Sequence, residues 1–296
     1  HVMEYGEYPK TYVGDNLNAE LESYITDNEI NATGTSAGLT ETGKTYTSNS
    51  ISGNSGEYAP KTSYEYSLYN KKYVRINAII YHTERTFQNG EYIGVTGEYR
   101  WFEVEPICWI ILNWHNLPKN INPFGSSSAN EIILIAEHSV TAGIPFYPNI
   151  IDSERGLWKN STVRNYLNNN FINEAFSELE LLQILESSVQ NNDEIGTGYN
   201  SKYGAGVEYE TQDKLYLASY YEIFNTQSEF SWLFKNTDSR KCNNANIITQ
   251  RSSYWWLRSS TINRGIRFIN ASGGTASDFS YELDASIRPL MKISII

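Results

Sequence analysis

Apolar residues recur along the chain with two periods, and the switches between them mark the elements. Between Asp15 and Ile25, Leu17, Leu21, Tyr24 and Ile25 fall at i, i+4, i+7 and i+8, one face of a short helix. Asp15 is read as its N-cap. Ahead of it, Gly6-Glu7-Tyr8-Pro9-Lys10-Thr11 reads as a turn or an edge strand, because proline cannot donate to a ladder. Asn28 to Lys61 carries few large apolar residues and many Gly, Ser, Thr and Asn, so it reads as a surface excursion with one hairpin. From Tyr64 to Leu112 the pattern is that of strands: Tyr73 to Tyr81, Tyr99 to Val104, and the apolar run Ile107 to Leu112. Asn89-Gly90 supplies a hairpin turn. Ile132 to Ala136 is a further buried strand.

The period then changes. Val163, Tyr166, Leu167 and Phe171 sit at helical spacing between Lys159 and Phe171. Ser177-Glu178-Leu179-Glu180 is a capping box, followed by Leu181, Leu182, Ile184 and Leu185 as the apolar face. Gln190 to Gly206 reads as a polar loop, and Lys214 to Ala218 as a strand. Ser219-Tyr220-Tyr221-Glu222 is a second capping box. Strands return at Tyr254 to Arg258, Ile266 to Ile269 and Ile287 to Ile295, with a turn at Asn270 to Gly274. The pattern predicts an α+β fold of antiparallel β segments with short inserted helices. It is read as one domain over residues 1–296, with a loop-rich excursion at about 28–72.

Composition narrows the class. With 296 residues and 40% hydrophobic content, the chain can bury a core without staples. Only 19% is charged, and the net charge is −11. That argues against nucleic acid as the main partner, since phosphate binding needs a basic footprint. It also argues against docking on anionic lipid. No apolar run reaches the length of a membrane span. His1-Val2-Met3-Glu4 is no signal peptide, so export would rest on a segment ahead of it. Of the two cysteines, Cys108 lies in the most apolar strand and is expected to be inert and buried. Cys242 follows Arg240 and Lys241, which would make it the more reactive. The two could also pair with each other.

Some patterns fit chemistry by letters alone. Gly38-Leu39-Thr40-Glu41-Thr42-Gly43-Lys44-Thr45 matches the P-loop, but no buried strand precedes it and no helix follows. It is read as a flexible Gly/Thr loop. Gly34-Thr35-Ser36-Ala37-Gly38 matches a nucleophile elbow and lacks the same context. The four histidines, His1, His82, His115 and His138, share no metal-ligand spacing. His115 or His138 could serve as a general base, although a hydrogen-bonded structural role is the plainer reading. No cofactor is expected. Calcium is the one ion left open, through the oxygens of Asn191-Asn192-Asp193-Glu194, which lack the usual loop spacing. Trp255 and Trp256 with Arg258 form the densest aromatic and cationic cluster. Neighbours on a strand face opposite ways, so at least one tryptophan is core and the other could line a binding face.

A collinear series of short pieces completes the picture. It runs Gly6-Glu7-Tyr8-Pro9, then Trp101 to Trp109, Ile132 to Glu137, and Trp158 with Ser161 to Asn168. It continues through Phe171 with Asn173 to Phe176, Asp213 to Ser219, Arg240-Lys241-Cys242, Tyr254 to Ser259 and Ile287 to Leu290. In this order the pieces resemble the DUF6273 family of bacterial domains. That family in turn resembles the formylglycine-generating-enzyme (sulfatase-modifying-factor) branch of the C-type lectin fold. The resemblance implies a C-type lectin-like fold more than an activity, because that fold carries many functions. The oxidase of the branch needs two cysteines close together near its C-terminus, which Cys108 and Cys242 do not reproduce.

The expectation is therefore a non-catalytic, extracytoplasmic ligand-binding domain of a bacterial surface or secreted protein. Its partner would be a glycan or a surface protein. The face expected to bind comprises Trp256, Arg258, Asn263, Arg264, Arg267, Asn270, Asp278 and Tyr281, aromatics for area and polar groups for orientation. Two other readings stand beside it. One is a cysteine-dependent oxidoreductase or a hydrolase, with Cys242 as its distinguishing group. The other is an assembly module of a surface or phage particle.

Overall fold

The computed structural model describes residues 1–25, 35–36, 38–48, 51–52, 57–58, 60–77, 79–81, 84–86, 99–125, 129–141, 144–147, 157–192, 208–242, 254–261, 265–278 and 285–295. In chain order its main strands are β1 (Val2–Tyr12), β2 (Thr35–Ser36), β3 (Leu39–Ser48), β4 (Lys61–Leu68) and β5 (Lys71–Asn77). Then come β6 (Tyr99–Ile111), β7 (Glu131–Ala136), β8 (Ile184–Leu185), β9 (Ser187–Asn192) and β10 (Glu208–Asp213). The series ends with β11 (Leu215–Leu217), β12 (Trp255–Ser260), β13 (Ile266–Ile269), β14 (Thr275–Asp278) and β15 (Pro289–Ser294). The helices are α1 (Asp15–Ser23), α2 (Thr162–Asn165), a π-helical turn (Tyr166–Phe171), α3 (Ile172–Ala175), α4 (Glu178–Gln183), α5 (Tyr220–Phe224) and α6 (Thr237–Arg240).

A ten-stranded sheet runs in the order β8-β15-β7-β6-β5-β4-β3-β2, with β1 added on β6 and β11 on β15. All ladders between strands among the described residues are antiparallel, with one isolated parallel bridge from Trp255 to Ser286, so the mixed α/β fold is mostly antiparallel sheet with few short helices. β6 is the spine. β1 lies along one side of it, and β5 and β7 follow one another along the other. β5 pairs with Tyr99 to Glu103 and β7 with Trp109 to Ile111, and Pro106 falls in the interval between them. That position spares the ladder the amide that proline lacks. β1 is an edge strand as expected, and Pro9 sits within it. Gly6 has a φ of 71°, and a Cβ there would stand 2.7 Å from the Ala175 carbonyl oxygen and 2.6 Å from the Phe176 ring. Only glycine lets this strand bend and lie on α3.

Neighbouring residues of β6 point to opposite faces, and each face has its own core. Phe102 joins a large cluster with Tyr8, Trp158, Phe171, Trp255 and Trp256, and Trp109 joins the same cluster because the alternation changes phase at Glu105 and Pro106, between buried Val104 and buried Ile107. Trp101 joins a smaller one with Leu21, Leu39, Tyr66, Leu68 and Tyr73. Leu17, Leu21, Tyr24 and Ile25 of the α1 region all pack on that smaller cluster, the face that their spacing predicted. Val163, Tyr166, Leu167 and Phe171 are likewise buried together.

Four expectations change. Asp15 is not the cap of α1. Gly14 holds that position, and the Asp15 carboxylate accepts from the Tyr12 hydroxyl at 2.8 Å. The polar stretch after Asn28 contains β3, a ten-residue strand of the main sheet. Its anchors are few: Leu39 and Tyr46 are buried, and the ladder with β4 shifts register around Gly43, whose φ is 84°. α4 ends at Gln183, so Ile184 and Leu185 form a strand against β15 rather than a helix face, and Leu182 lies 80% exposed. Finally, Gln190 to Asn192 belong to β9, paired with β10. Of the predicted loop, residues 193–206 lie outside the described residues, as does Asn89-Gly90.

Candidate functional site

The second capping box organises the site. Ser219 Oγ accepts from the Glu222 amide at 3.1 Å, and Glu222 Oε2 accepts from the Ser219 amide at 2.7 Å. This starts α5 and fixes the direction of the Glu222 side chain. β12 runs beside it: the Arg258 amide donates to the Ala218 carbonyl at 3.0 Å, and Ser259 Oγ accepts from the Tyr220 amide at 2.8 Å. Arg258 then meets Glu222 in a two-pronged pair, Nη1 to Oε2 at 2.7 Å and Nη2 to Oε1 at 3.0 Å. Nη1 also donates to the Leu217 carbonyl at 2.6 Å and Nη2 to the Gln190 carbonyl at 3.4 Å. Such a fork is strong and directional.

This pair forms part of the wall of a cavity of about 440 Å³. The wall also carries Gln190 and Asn191 of β9, Tyr216, Tyr220 and Tyr221, the segment from Gln227 to Phe230, and Lys292 of β15. The volume lies in the range of small-ligand sites, about 300–1,000 Å³. Burial disfavours the Glu222 carboxylate, but the Arg258 charge, its hydrogen bonds and those of Ser219 outweigh it, and the pKa is held below the ordinary value. Burial, and then the Glu222 charge, push the Tyr216 phenol well above its ordinary value. Lys292 is engaged by Glu131 at 2.7 Å. The Arg267 guanidinium lies 4.3 Å from the centre of the Tyr220 ring. Chemically, the site offers aromatic walls, amides and a charge pair closed on itself. Glu222 is ionised with both oxygens occupied, which suits it to holding a shape rather than to giving a proton.

Residues 132–295 match the family described as Domain of unknown function (DUF6273), more than half of the chain. The chain belongs to this family. No curated protein and no solved structure matches it. The DUF6273 match covers every element of the cavity wall. The pieces Gly6 to Pro9 and Trp101 to Trp109, read above as part of the resemblance, lie ahead of it, although β6 pairs directly with β7 inside it.

Within the DUF6273 region, one of the residues expected to bind lines the cavity, Arg258, while Arg267 packs on Tyr220 of the wall without lining the cavity itself. Trp256 does not. Both Trp255 and Trp256 are wholly buried, because β12 is covered on both faces. Trp255 lies under Arg288 and beside Phe234, and Trp256 lies edge-on to Phe146 and Phe268. Asn270 shapes its turn, its Oδ1 accepting from the Ser272 and Gly274 amides. Asp278 ends β14, and its side chain is outside the described residues, as are Asn263, Arg264 and Tyr281. Gln190, Tyr221, Glu222 and Gln227 were missed as candidates, and Asn191 was considered only as a calcium ligand, although the Ser219 capping box marks the turn that places Glu222.

The two thiols exchange roles. Cys242 is 1% exposed and lies 3.3 Å from the Ser139 hydroxyl. Its neighbouring cations are turned elsewhere, Arg240 over the Phe224 ring and Lys241 onto Asp238. Cys108 is the half-buried one, because the alternation of β6 turns Ile107 and Trp109 inward and Cys108 away from them. Both are free thiols. The P-loop letters fall in β3 rather than in a loop, and Lys44 pairs with Glu7 at 3.5 Å. Thr35 and Ser36 of the elbow pattern form the short strand β2. Asn191 of the calcium stretch spends its Nδ2 on Val189 and Thr211, and Asp193 and Glu194 lie outside the described residues. Burial lowers the pKa of His138. Among the described residues, no helix is long and apolar enough to cross a membrane.

Proposed function

We propose that this chain is a non-catalytic ligand-binding domain of lectin-like fold, carried by a bacterial surface or secreted protein, and that its ligand is a glycan seated in the Arg258–Glu222 cavity. The observation that carries the reading is the wall itself. It combines Tyr220 and Tyr221 with the carboxamides of Gln190, Asn191 and Gln227 around about 440 Å³. A sugar ring presents an apolar face to an aromatic ring and hydroxyls to amides, so its two kinds of surface find both kinds of partner. The charge pair is spent on structure, which leaves recognition to neutral groups.

The test is a glycan array of the purified chain, run with calcium and again with chelator, followed by the double substitution Tyr221→Ala, Gln227→Ala. Reproducible hits that weaken by roughly tenfold or more in the folded double variant support the site, a loss in keeping with removal of two contact side chains. Unchanged affinity in a variant with a native melting temperature moves the site elsewhere. Calcium dependence would place a metal in recognition.

A further inference from the structure

We infer that the cavity selects an uncharged sugar unit over its acidic counterpart. The inference rests on the glycan reading above and adds the class of ligand.

The state of the cations on the wall carries it. Arg258 gives both terminal nitrogens to Glu222 and to two backbone carbonyls. Lys292 is held by Glu131 on the neighbouring strand β7. A ligand carboxylate therefore finds each positive charge already neutralised, and Glu229, exposed on the same wall, repels it. To gain Arg258 it would have to displace a carboxylate that is already built in with good geometry.

The test uses pairs of methyl glycosides that differ only at C6: glucoside with glucuronide, galactoside with galacturonide, mannoside with mannuronide. Binding of each to the full chain is measured by calorimetry at low and at high salt. The expected result is that the neutral member of any pair that binds is preferred by roughly two- to fivefold, the worth of one charge contact at an exposed site, here with Glu229. Its affinity should change little with salt. Preference for the acidic member, or affinity that falls steeply with salt, overturns the inference while leaving the glycan reading intact. Binding of no member of any pair overturns the glycan reading and the inference with it. The substitution Glu131→Gln frees Lys292 and should narrow the preference by roughly two- to fivefold, the worth of an exposed ion pair. An unchanged preference in that folded variant overturns the argument from neutralised cations.

Discussion

Two arginine–carboxylate pairs hold the DUF6273 region together, and they are built the opposite way round. At the cavity, the Arg258 side chain is 6% exposed and its partner Glu222 20%. Beside the helical segment, Arg164 is 30% exposed and its partner Asp213 wholly buried. In the first pair the cation is the inner member, and in the second the anion is. Asp213 accepts from Arg164 Nε at 2.6 Å, and its other oxygen takes the Trp158 indole at 2.9 Å and the Thr211 hydroxyl at 2.6 Å. The two inner groups differ in one respect that matters when the partner is lost. A stranded carboxylate can shed its charge by taking up a proton. A guanidinium keeps its proton at any accessible pH. The cavity pair is thus the more brittle, although both look alike as contacts.

Substitution of each outer member breaks or sharpens this contrast. Glu222→Gln strands the Arg258 charge, and denaturant unfolding at neutral pH should show a loss of about 3–5 kcal/mol. Glutamine keeps a cap at α5, so the loss is assigned to the pair. Arg164→Met should cost less, about 2 kcal/mol by the same measurement, because Asp213 keeps the Trp158 and Thr211 donors. A deficit larger than that of Glu222→Gln would sink the contrast between inner cation and inner anion.

The elements that hold these pairs were readable to different depths. The capping boxes at Ser177 and Ser219 were legible because their chemistry is confined to four consecutive residues, and both form. β7 and β15 were legible as apolar runs, and α1 by its spacing. β3 was not, because a strand that buries only Leu39 and Tyr46 among Thr, Glu and Lys has the composition of a loop. The cavity was hidden for another reason. Glu222 and Arg258 are 36 positions apart, and nothing local marks them as partners. The exchange of roles between the cysteines was within reach: strict alternation from Ile107 to Ile111 already turns Cys108 away from the core. The apolar character of the run outweighed its period.

The smallest effect expected is the wild-type pH profile, and it separates the cavity pair from a third carboxylate, the half-buried Glu174. Glu222 has a depressed pKa: burial raises it, and Arg258 with Ser219 lowers it further than burial lifts it. A depressed folded-state value means that its contribution is present above the ordinary 4.5 and is lost as pH falls through the lowered value. Glu174 runs the other way. Burial raises its pKa against hydrogen bonds from the Thr47 amide and hydroxyl, and its Oε2 has no partner. A raised folded-state value means that its contribution is present in acid and is lost as pH rises through that value. The two windows lie on opposite sides of the ordinary carboxylate range. Acidification should therefore first relieve Glu174 and only then cost the Glu222–Arg258 pair, giving a shallow maximum in melting temperature before the acid fall. Glu174→Gln should remove the rise toward that maximum and leave the acid limb in place. A wild-type profile that falls monotonically from neutral pH, unchanged by Glu174→Gln, would mean that the Glu174 site is hydrated enough to carry its charge at no cost.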